Sequence, residues 1–296
     1  MLKKIRTKLT GLSVTKVRRK LKYIAMQSRA KLVRPSYRTP VGNVYHCTVH
    51  KSGSQWIRNI MQDYRVYKYS GLRAFHYETE MMPNGIDTRK LTERSLPELM
   101  PADSVISPIY TDLEQYLAYP KRDEYRGFFV MRDPRDVIVS WYFSARFSHV
   151  PMGPDIPEAR KVLADAPISE GLRYVIDYFN DFGLFAAQRS WLNADNLSDN
   201  ERVFKYEDLN GPDGVEHFRE LFSHCDIRLP DNVLRELVAD HSFEKLSGGR
   251  QKGEENKKDH LRKGVAGDWK NHFDDEALAY FNNVAGDLVE LLGYAS

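Results

Sequence analysis

The chain has 296 residues, of which 42% are hydrophobic and 29% are charged. This is the balance of a folded globular protein and excludes a collagen-like or wholly disordered chain. The length suits one large α/β domain or two small domains. Cys47 and Cys225 are the only cysteines, which excludes a disulfide framework and a cysteine-built zinc site and is compatible with a reducing compartment.

Positive charge is concentrated at the amino terminus. Residues 1–38 hold thirteen of the 44 basic residues and no acidic residue. The remaining 31 basic residues stand against 41 acidic ones, a formal charge of −10. We therefore divide the chain into a basic N-terminal arm, residues 1–38, and one domain, residues 39–296. An anion bound by the acidic domain has to be held by locally focused positive groups.

The arm has no apolar stretch long enough for a signal peptide or a membrane span, and neither has the rest of the chain. Four apolar residues fall at helical spacing between cations: Val14, Val17, Leu21 and Ile24. This pattern is typical of a basic amphipathic helix on an anionic membrane, and equally of a solvated tail or a helix packed on the domain. No nucleic-acid motif accompanies the charge, so no nucleic-acid partner is predicted. We expect a cytoplasmic protein, with peripheral membrane contact through the arm as the alternative.

Short apolar runs alternate with amphipathic stretches along the domain. The runs predict strands at 44–49, 104–110, 127–131 and 201–207, the second weakened by Pro108. Helices are predicted after the first and third strands, at 171–191, 214–223 and 231–240. A last helix is predicted to start near Asp274, with an apolar face from Leu278 to Leu291. This order predicts a mostly parallel sheet covered on both faces, with ligands at the carboxyl ends of the strands.

The first candidate anion site follows strand 44–49 and reads HKSGSQW, residues 50–56. A small polar turn that enters a helix presents backbone N–H groups and a helix dipole to an anion. The turn is not a Walker A motif, because no glycine stands five residues before Gly53 and Lys51 precedes that glycine. On its own, this turn is more often a simple loop.

Two further stretches carry cations in similar settings. Arg132 ends strand 127–131, and Ser140 follows within a helix whose start is marked by Asp133 and Pro134. Residues 262–270, RKGVAGDWK, place two cations beside two glycines, as in a loop that closes on an anion. Salt bridging for Arg132 and simple solvation for the loop are the ordinary alternatives.

Together, HKSGSQW, MRDPRDVIVSWYF and RKGVAGDWKNHF resemble the signature stretches of the cytosolic-type sulfotransferases, in the family's order across residues 44–273. The resemblance points to a bacterial-type member. It implies a P-loop-like three-layer α/β/α domain with a central, mainly parallel sheet. It also implies transfer of a sulfuryl group from 3′-phosphoadenosine 5′-phosphosulfate (PAPS) to a hydroxyl or amine acceptor, with release of adenosine 3′,5′-bisphosphate (PAP).

The resemblance also assigns residues. Lys51 would lie at the oxygen that bridges phosphorus and sulfur. The 5′-phosphosulfate would be held by Ser52, Gly53, Ser54, Gln55 and Trp56, with Trp56 also near the adenine. The 3′-phosphate would be held by Arg132 and Ser140 and covered by Arg262, Lys263 and Gly264. The adenine-contacting tyrosine would be Tyr206, and Ser242 and Phe243 match the family's TSF element, in which His241 replaces the threonine.

Elementary chemistry agrees with these assignments. In-line transfer leaves negative charge on the departing phosphate oxygen, and losing a group placed to stabilise such charge typically costs about 100- to 1,000-fold in rate. A sulfuryl group carries less charge than a phosphoryl group, so a bridging metal is less necessary. No compact carboxylate motif is present, and we predict no metal.

One family residue is missing. Animal cytosolic members place a catalytic histidine in a KxHLP-like segment, and the corresponding segment here, Ser107 to Tyr110, has none. The candidate general bases are His149, His76 and Glu78, with Tyr110 as a hydroxyl in the acceptor site. His46, on the first strand, is expected in the core.

The acceptor is not specified by the sequence. Residues 64–82 and 144–170 match no motif and hold aromatic side chains that line an acceptor site or pack in the core. A small molecule, a lipid or a glycan all remain open. The missing histidine motivates an alternative, a PAP- or PAPS-binding module without turnover, and the missing Walker A motif argues against an ATP-dependent kinase.

Overall fold

The computed structural model describes residues 33–82, 86–149, 155–192 and 197–294. Within them lie five strands: β1 Asn43–Thr48, β2 Arg73–Phe75, β3 Ser104–Tyr110, β4 Tyr125–Met131 and β5 Glu201–Lys205. They form one sheet in the order β2-β3-β1-β4-β5, and every neighbouring pair is parallel.

Helices connect the strands and follow the last one. They are α1 Ser54–Met61, α2 Tyr64–Lys68, α3 Tyr77–Met81, α4 Leu113–Ala118, α5 Pro134–Phe143, α6 Asp155–Asp165, α7 Ile168–Asp181, α8 Leu184–Ser190, α9 Tyr206–Leu209, α10 Gly214–His224, α11 Asp231–Asp240, α12 Phe243–Ser247, α13 Asp275–Ala285 and α14 Leu288–Leu291. Short 3₁₀ turns lie at Leu91–Glu93 and Asp268–Asn271, and a π turn at Ser144–Ser148 extends α5.

The two faces of the sheet build two separate apolar layers. Alternate residues of a strand point to opposite faces, so Phe128 and Val130 of β4 pack with α1, α10 and α11. Phe129 and Met131 of the same strand pack with α5, α7, α8 and α13. The predicted three-layer α/β/α architecture with a parallel sheet is confirmed.

Pro108 is accommodated inside β3 by an irregularity. Tyr45 of β1 pairs with Ile106, but the next pair joins Cys47 to Ile109, so the register shifts around the proline. A proline lacks the N–H that a ladder needs, and a bulge removes that requirement. Beside it, His46 is fully buried, as predicted, with Nδ1 2.7 Å from Ser107 Oγ.

Several element boundaries differ from the predicted ones. The predicted helix 171–191 is two helices, α7 and α8, because Gly183 takes a left-handed backbone with φ of 81°. Gly286, with φ of 63°, ends α13 before α14 in the same way. Strand β5 stops at Lys205, and Tyr206 begins α9. Strand β2 was not predicted.

The arm lies mostly outside the described residues, including the apolar positions Val14 to Ile24. Its last part packs on the domain: Tyr37 OH donates to Asp226 Oδ2 at 2.5 Å.

Parallel strands bring the candidate site residues to one edge. The turn after β1, Tyr110 at the end of β3 and Arg132 after β4 all lie at carboxyl ends. The chain passes from β1 to β2 and β3 on one side of β1 and then crosses to β4 on the other side, so the direction of the connections reverses at β1. Such a reversal opens the crevice in which α/β folds bind ligands.

Candidate active site

The β1–α1 turn, residues 49–53, has an unusual backbone. Lys51 and Gly53 both have positive φ, 65° and 79°. A non-glycine residue in this region carries about 1–3 kcal/mol of strain, which the surrounding structure has to offset. The free N–H groups at the start of α1 follow directly, so the turn presents donors and a helix dipole to an anion.

Two features require glycine at position 53: its positive φ and the close contact of its backbone with the Tyr206 ring. A Cβ at this position would lie 2.7 Å from Cδ2 of Tyr206, the residue that follows β5. The Trp56 ring meets Tyr206 edge to face at 5.9 Å, and its Nε1 donates to the carbonyl of His241 at 2.8 Å. The segments around Gly53, Tyr206 and His241, far apart in sequence, therefore meet at one place.

The serines of the turn have different surroundings. Ser52 is fully buried, and its Oγ has no hydrogen-bond partner among the described residues. Ser54 Oγ lies 2.9 Å from Tyr110 OH, and Gln55 Nε2 donates to the same hydroxyl at 3.4 Å. Ser54 and Gln55 thus bind the turn to β3, whereas Ser52 does not.

Arg132 lies directly beside Lys51. Its Nη1 donates to the Lys51 carbonyl at 2.8 Å, and its guanidinium carbon is 4.4 Å from the centre of the Tyr206 ring. Asp136 is its nearest carboxylate, 3.7 Å from Nη2, and its buried Nε has no partner among the described residues. Ser140 lies further along α5 and is partly exposed.

Three cations converge at the turn. Burial first, and then the charges of Arg132 and Arg262, lower the pKa of Lys51 to about 8. Lowering of this kind reports charges that repel each other across a partly desolvated site. An anion bound there would relieve the repulsion, so the arrangement favours an anionic ligand.

The C-terminal loop, residues 262–270, is anchored to α5 by Asp136. The two oxygens of this carboxylate accept hydrogen bonds from the backbone N–H groups of Gly267 at 2.7 Å and Trp269 at 2.9 Å. The Arg135 guanidinium carbon also lies 3.7 Å from the centre of the Trp269 ring. These contacts bring the third sequence stretch to the second.

Within the loop, the cations are paired internally. Asp268 contacts Arg262, Lys263 at 2.5 Å, Asn271 at 2.9 Å and His272 at 3.1 Å. Burial by itself disfavours the ionised carboxyl, but the hydrogen bonds from these four donors outweigh it and hold the pKa of Asp268 well below its usual value.

The loop also contacts the Ser242–Phe243 element. Gly264 has φ of 71°, and a side chain there would overlap the Phe243 ring. The Gly264 carbonyl accepts from Asn210 Nδ2 at 3.1 Å. The Ser242 hydroxyl accepts from the Lys245 N–H at 3.4 Å and caps α12. Phe243 is thereby brought to the loop, while Ser242 is used within its own helix.

The predicted general bases lie at separate positions. His76 precedes α3, and burial, then the charge of Arg58, lower its pKa to about 4. His149 follows the π turn, its N–H donates to the Ser144 carbonyl at 2.7 Å, and its charge acts on His50.

Sequence reasoning missed His50 and Arg94. The His50 ring is stacked on Tyr110, with centres 4.2 Å apart and planes 11° from parallel, and meets Phe182 edge to face. Arg94 is 1% exposed, and its guanidinium carbon lies 5.8 Å from the Tyr110 ring. The Nη1 atom of Arg94 lies 3.6 Å from Oε1 of Glu78, another predicted base. The one available signal was the place of His50 immediately before Lys51.

Two further properties concern the described residues. No three of their His, Cys, Asp or Glu side chains gather in a way that could hold a metal ion. None of their helices combines the length and apolarity that crossing a membrane requires.

The chain matches the sulfotransferase domain family over residues 43–293. Among curated proteins it is similar to Sulfotransferase 6B1 of Danio rerio, with 28% identity over 149 residues. That match covers 49% of this chain and 46% of the relative. The chain thus spans about half the length of the curated relative it matches.

Solved structures share the fold. Mouse sulfotransferase SULT7A1 complexed with PAP gives a TM-score of 0.55 at 16% identity, covering 86% of both chains. Retinol dehydratase, with androsterone and the inactive cofactor PAP, gives 0.50 at 17% identity, covering 84% of this chain and 80% of that one. Its complex with retinol and PAP gives 0.51 at 17% identity, with coverages of 84% and 81%.

Proposed function

The chain belongs to the family of sulfotransferase domains, and from that premise we propose that it transfers a sulfuryl group from PAPS to a hydroxyl or amine acceptor. The observation that carries the proposal is the convergence of Lys51, Arg132 and Arg262, which stand in three separate stretches of sequence. Three cations at the carboxyl edge of a sheet match a ligand with several negative charges.

The residues fit such a nucleotide on two counts. The buried Ser52 hydroxyl and the buried Arg132 Nε have no partner among the described residues. A buried polar atom without a partner costs about 1–3 kcal/mol, which a phosphate oxygen bound there would offset. The left-handed turn at Lys51 and Gly53 adds backbone donors at the same place.

In the proposed arrangement the turn from Ser52 to Trp56 binds the 5′-phosphosulfate. Arg132 and Ser140 bind the 3′-phosphate, and the C-terminal loop covers it through Arg262, Lys263 and Gly264. The adenine contacts Trp56, Tyr206 and the Ser242–Phe243 element.

Lys51 is the proposed catalytic cation. Transfer leaves a bonding pair on the bridging oxygen of the departing PAP, and the Lys51 ammonium stabilises that charge where it develops. The rest of catalysis is positioning, as in phosphoryl transfer. The proposed reaction needs no metal.

The proposed acceptor is a small molecule, with a lipid or a glycan as the alternatives. The retinol dehydratase complexes contain androsterone and retinol, so this fold accommodates small apolar ligands in that protein. His149, His76 and Glu78 are the candidates for the general base that the sequence predicts. A cytoplasmic location, and contact of residues 1–38 with an anionic membrane, remain proposals too.

The test is transfer of label from ³⁵S-labelled PAPS to a panel of phenols, sterols, sugars and lipid alcohols. We expect labelled product from the wild-type protein and a loss of about 100- to 1,000-fold in rate for Lys51→Ala. Lys161→Ala, at an exposed position of α6, is the matched control and should not change the rate. PAP binding without transfer to any acceptor would instead support a binding module of the same fold.

A further inference from the structure

We infer that His50 is the general base of the site and takes the proton from the acceptor hydroxyl. The inference rests on the proposed function, because it assigns the group that completes sulfuryl transfer. It also supplies a base to a site whose segment Ser107 to Tyr110 has no histidine.

The position of His50 follows from the strand order. Strand β1 lies between β3 and β4. After β1, the Lys51 carbonyl is bound by Arg132, on the β4 side, whereas the His50 ring stacks on Tyr110, at the end of β3. Two consecutive residues therefore contact opposite sides of the crevice. An in-line transfer needs this arrangement, with the leaving group on one side of the sulfur and the acceptor on the other.

The ring of His50 lacks the hydrogen bonds that fix three other histidines. Each of these is held through one ring nitrogen, His46 by Ser107 Oγ, His224 by the Gly127 carbonyl and His241 by the Leu237 carbonyl. The buried Nδ1 of His50 has no hydrogen-bond partner among the described residues. Ring stacking fixes its plane instead, so a nitrogen is left to accept a proton.

The charges around His50 keep its ring neutral. Burial first, then Arg94, Lys51 and His149, lower the pKa of His50 well below its usual value. Tyr110, the other titratable group in contact, stays protonated because burial raises its pKa. The imidazole is therefore unprotonated near pH 7, as a general base must be.

The proton and the electrons balance in one step. The acceptor oxygen forms a bond to sulfur while the bond between sulfur and the bridging phosphate oxygen breaks. The bonding pair stays on PAP beside Lys51, and the acceptor proton passes to a His50 ring nitrogen. Release of that proton to solvent restores the base.

The experiment compares initial rates of label transfer for the wild type, His50→Gln and the matched control His224→Gln. General-base catalysis contributes about 10²- to 10⁴-fold, so His50→Gln should lose at least about 100-fold in kcat. PAP binding, measured by calorimetry, should stay within about threefold, which shows that the fold and the nucleotide site survive. His224→Gln should keep the wild-type rate.

The pH profile gives a second readout. In the wild type, kcat/KM should fall at acid pH as His50 is protonated, and this decrease should be absent from His50→Gln.

A second variant distinguishes loss of the base from misfolding. In His50→Ala, added imidazole should restore part of the rate, because a free base can enter the space that the side chain left. A His50→Gln rate within threefold of wild type, or a loss that appears in His149→Gln or His76→Gln instead, overturns the assignment while the proposed function stands. Absence of transfer by the wild type with every acceptor overturns the proposed function, and the assignment with it.

Discussion

At the β1–α1 turn, Lys51 and Arg132 lie side by side, and Lys51 has no carboxylate partner among the described residues. In the C-terminal loop, Arg262 and Lys263 both contact the carboxylate of Asp268. The turn therefore holds Lys51, a cation without a carboxylate partner among the described residues, beside Arg132, which faces Asp136 at 3.7 Å, whereas both cations of the loop are closely paired. The first region is organised in advance for an anion.

The difference has an energetic consequence. A phosphate bound at the turn gains the full attraction of Lys51 and most of that of Arg132, whose contact with Asp136 is long. A phosphate bound at the loop shares its cations with Asp268, so part of the gain is offset by weakened pairs within the protein. We therefore expect the turn to contribute most of the affinity for PAP and the loop to contribute closure over the site.

The sharpest test of this difference is a pair of arginine variants. Hydrogen bonds to charged groups contribute about 1.5–3 kcal/mol, so Arg132→Met should weaken PAP binding by between about ten- and 150-fold. Arg262→Met should weaken it by less than about tenfold, because the loop cation is already paired. Titration calorimetry measures both, with the exposed Arg235→Met as the control. A larger loss for Arg262→Met would reverse the order of the two regions.

The anchoring of the loop can be broken by replacing Asp136, whose carboxylate also faces Arg132 Nη2 at 3.7 Å. Asp136 accepts two backbone hydrogen bonds from the loop, and an asparagine offers only one carbonyl oxygen in its place. We expect Asp136→Asn to lower the free energy of unfolding by about 1–3 kcal/mol, measured by urea denaturation.

The control for that measurement is an ion pair on the surface. Glu276 pairs with Arg173, but its side chain is 72% exposed. Glu276→Gln should change the free energy of unfolding by less than about 1 kcal/mol. Equal losses in Asp136→Asn and Glu276→Gln would show that Asp136 does not anchor the loop.

The pH dependence of the transfer rate tests one residue of the turn, Lys51. The pKa of Lys51 is lowered to about 8, so its ammonium is lost as the pH rises through 8, while the arginines keep their charge. The value of kcat/KM for PAPS, which reports the free enzyme, should therefore fall by about tenfold for each unit above pH 8. In Lys51→Arg this alkaline limb should be absent up to pH 10. A wild-type profile that stays flat to pH 10 is incompatible with the role of Lys51.

Much of the fold was predictable because its elements carry strong local signals. Strand β3 and helix α11 have the predicted bounds, and α5 begins at Pro134 after the Asp133 cap. The strand β2 was missed because three partly exposed residues, Arg73 to Phe75, give no apolar run. The breaks at Gly183 and Gly286 were missed because apolar periodicity continues across a left-handed glycine.

The site divides in the same way. The three candidate cations Lys51, Arg132 and Arg262 could be singled out from the sequence because they stand in short contiguous motifs. His50 and Arg94 could not, because they gain their environment from Tyr110 and Phe182, residues that only the folded chain brings to them. Burial, which sets the protonation state of His50, is likewise a property of the packed structure.

The central claim is that this edge of the sheet binds an adenosine nucleotide phosphorylated at both ends. Titration calorimetry with PAP and with adenosine 5′-monophosphate, under identical conditions, tests it directly. We predict at least about tenfold tighter binding of PAP, because the second phosphate adds charge-assisted hydrogen bonds of about 1.5–3 kcal/mol each. Equal affinity for the two nucleotides, or no binding of PAP, would contradict the account.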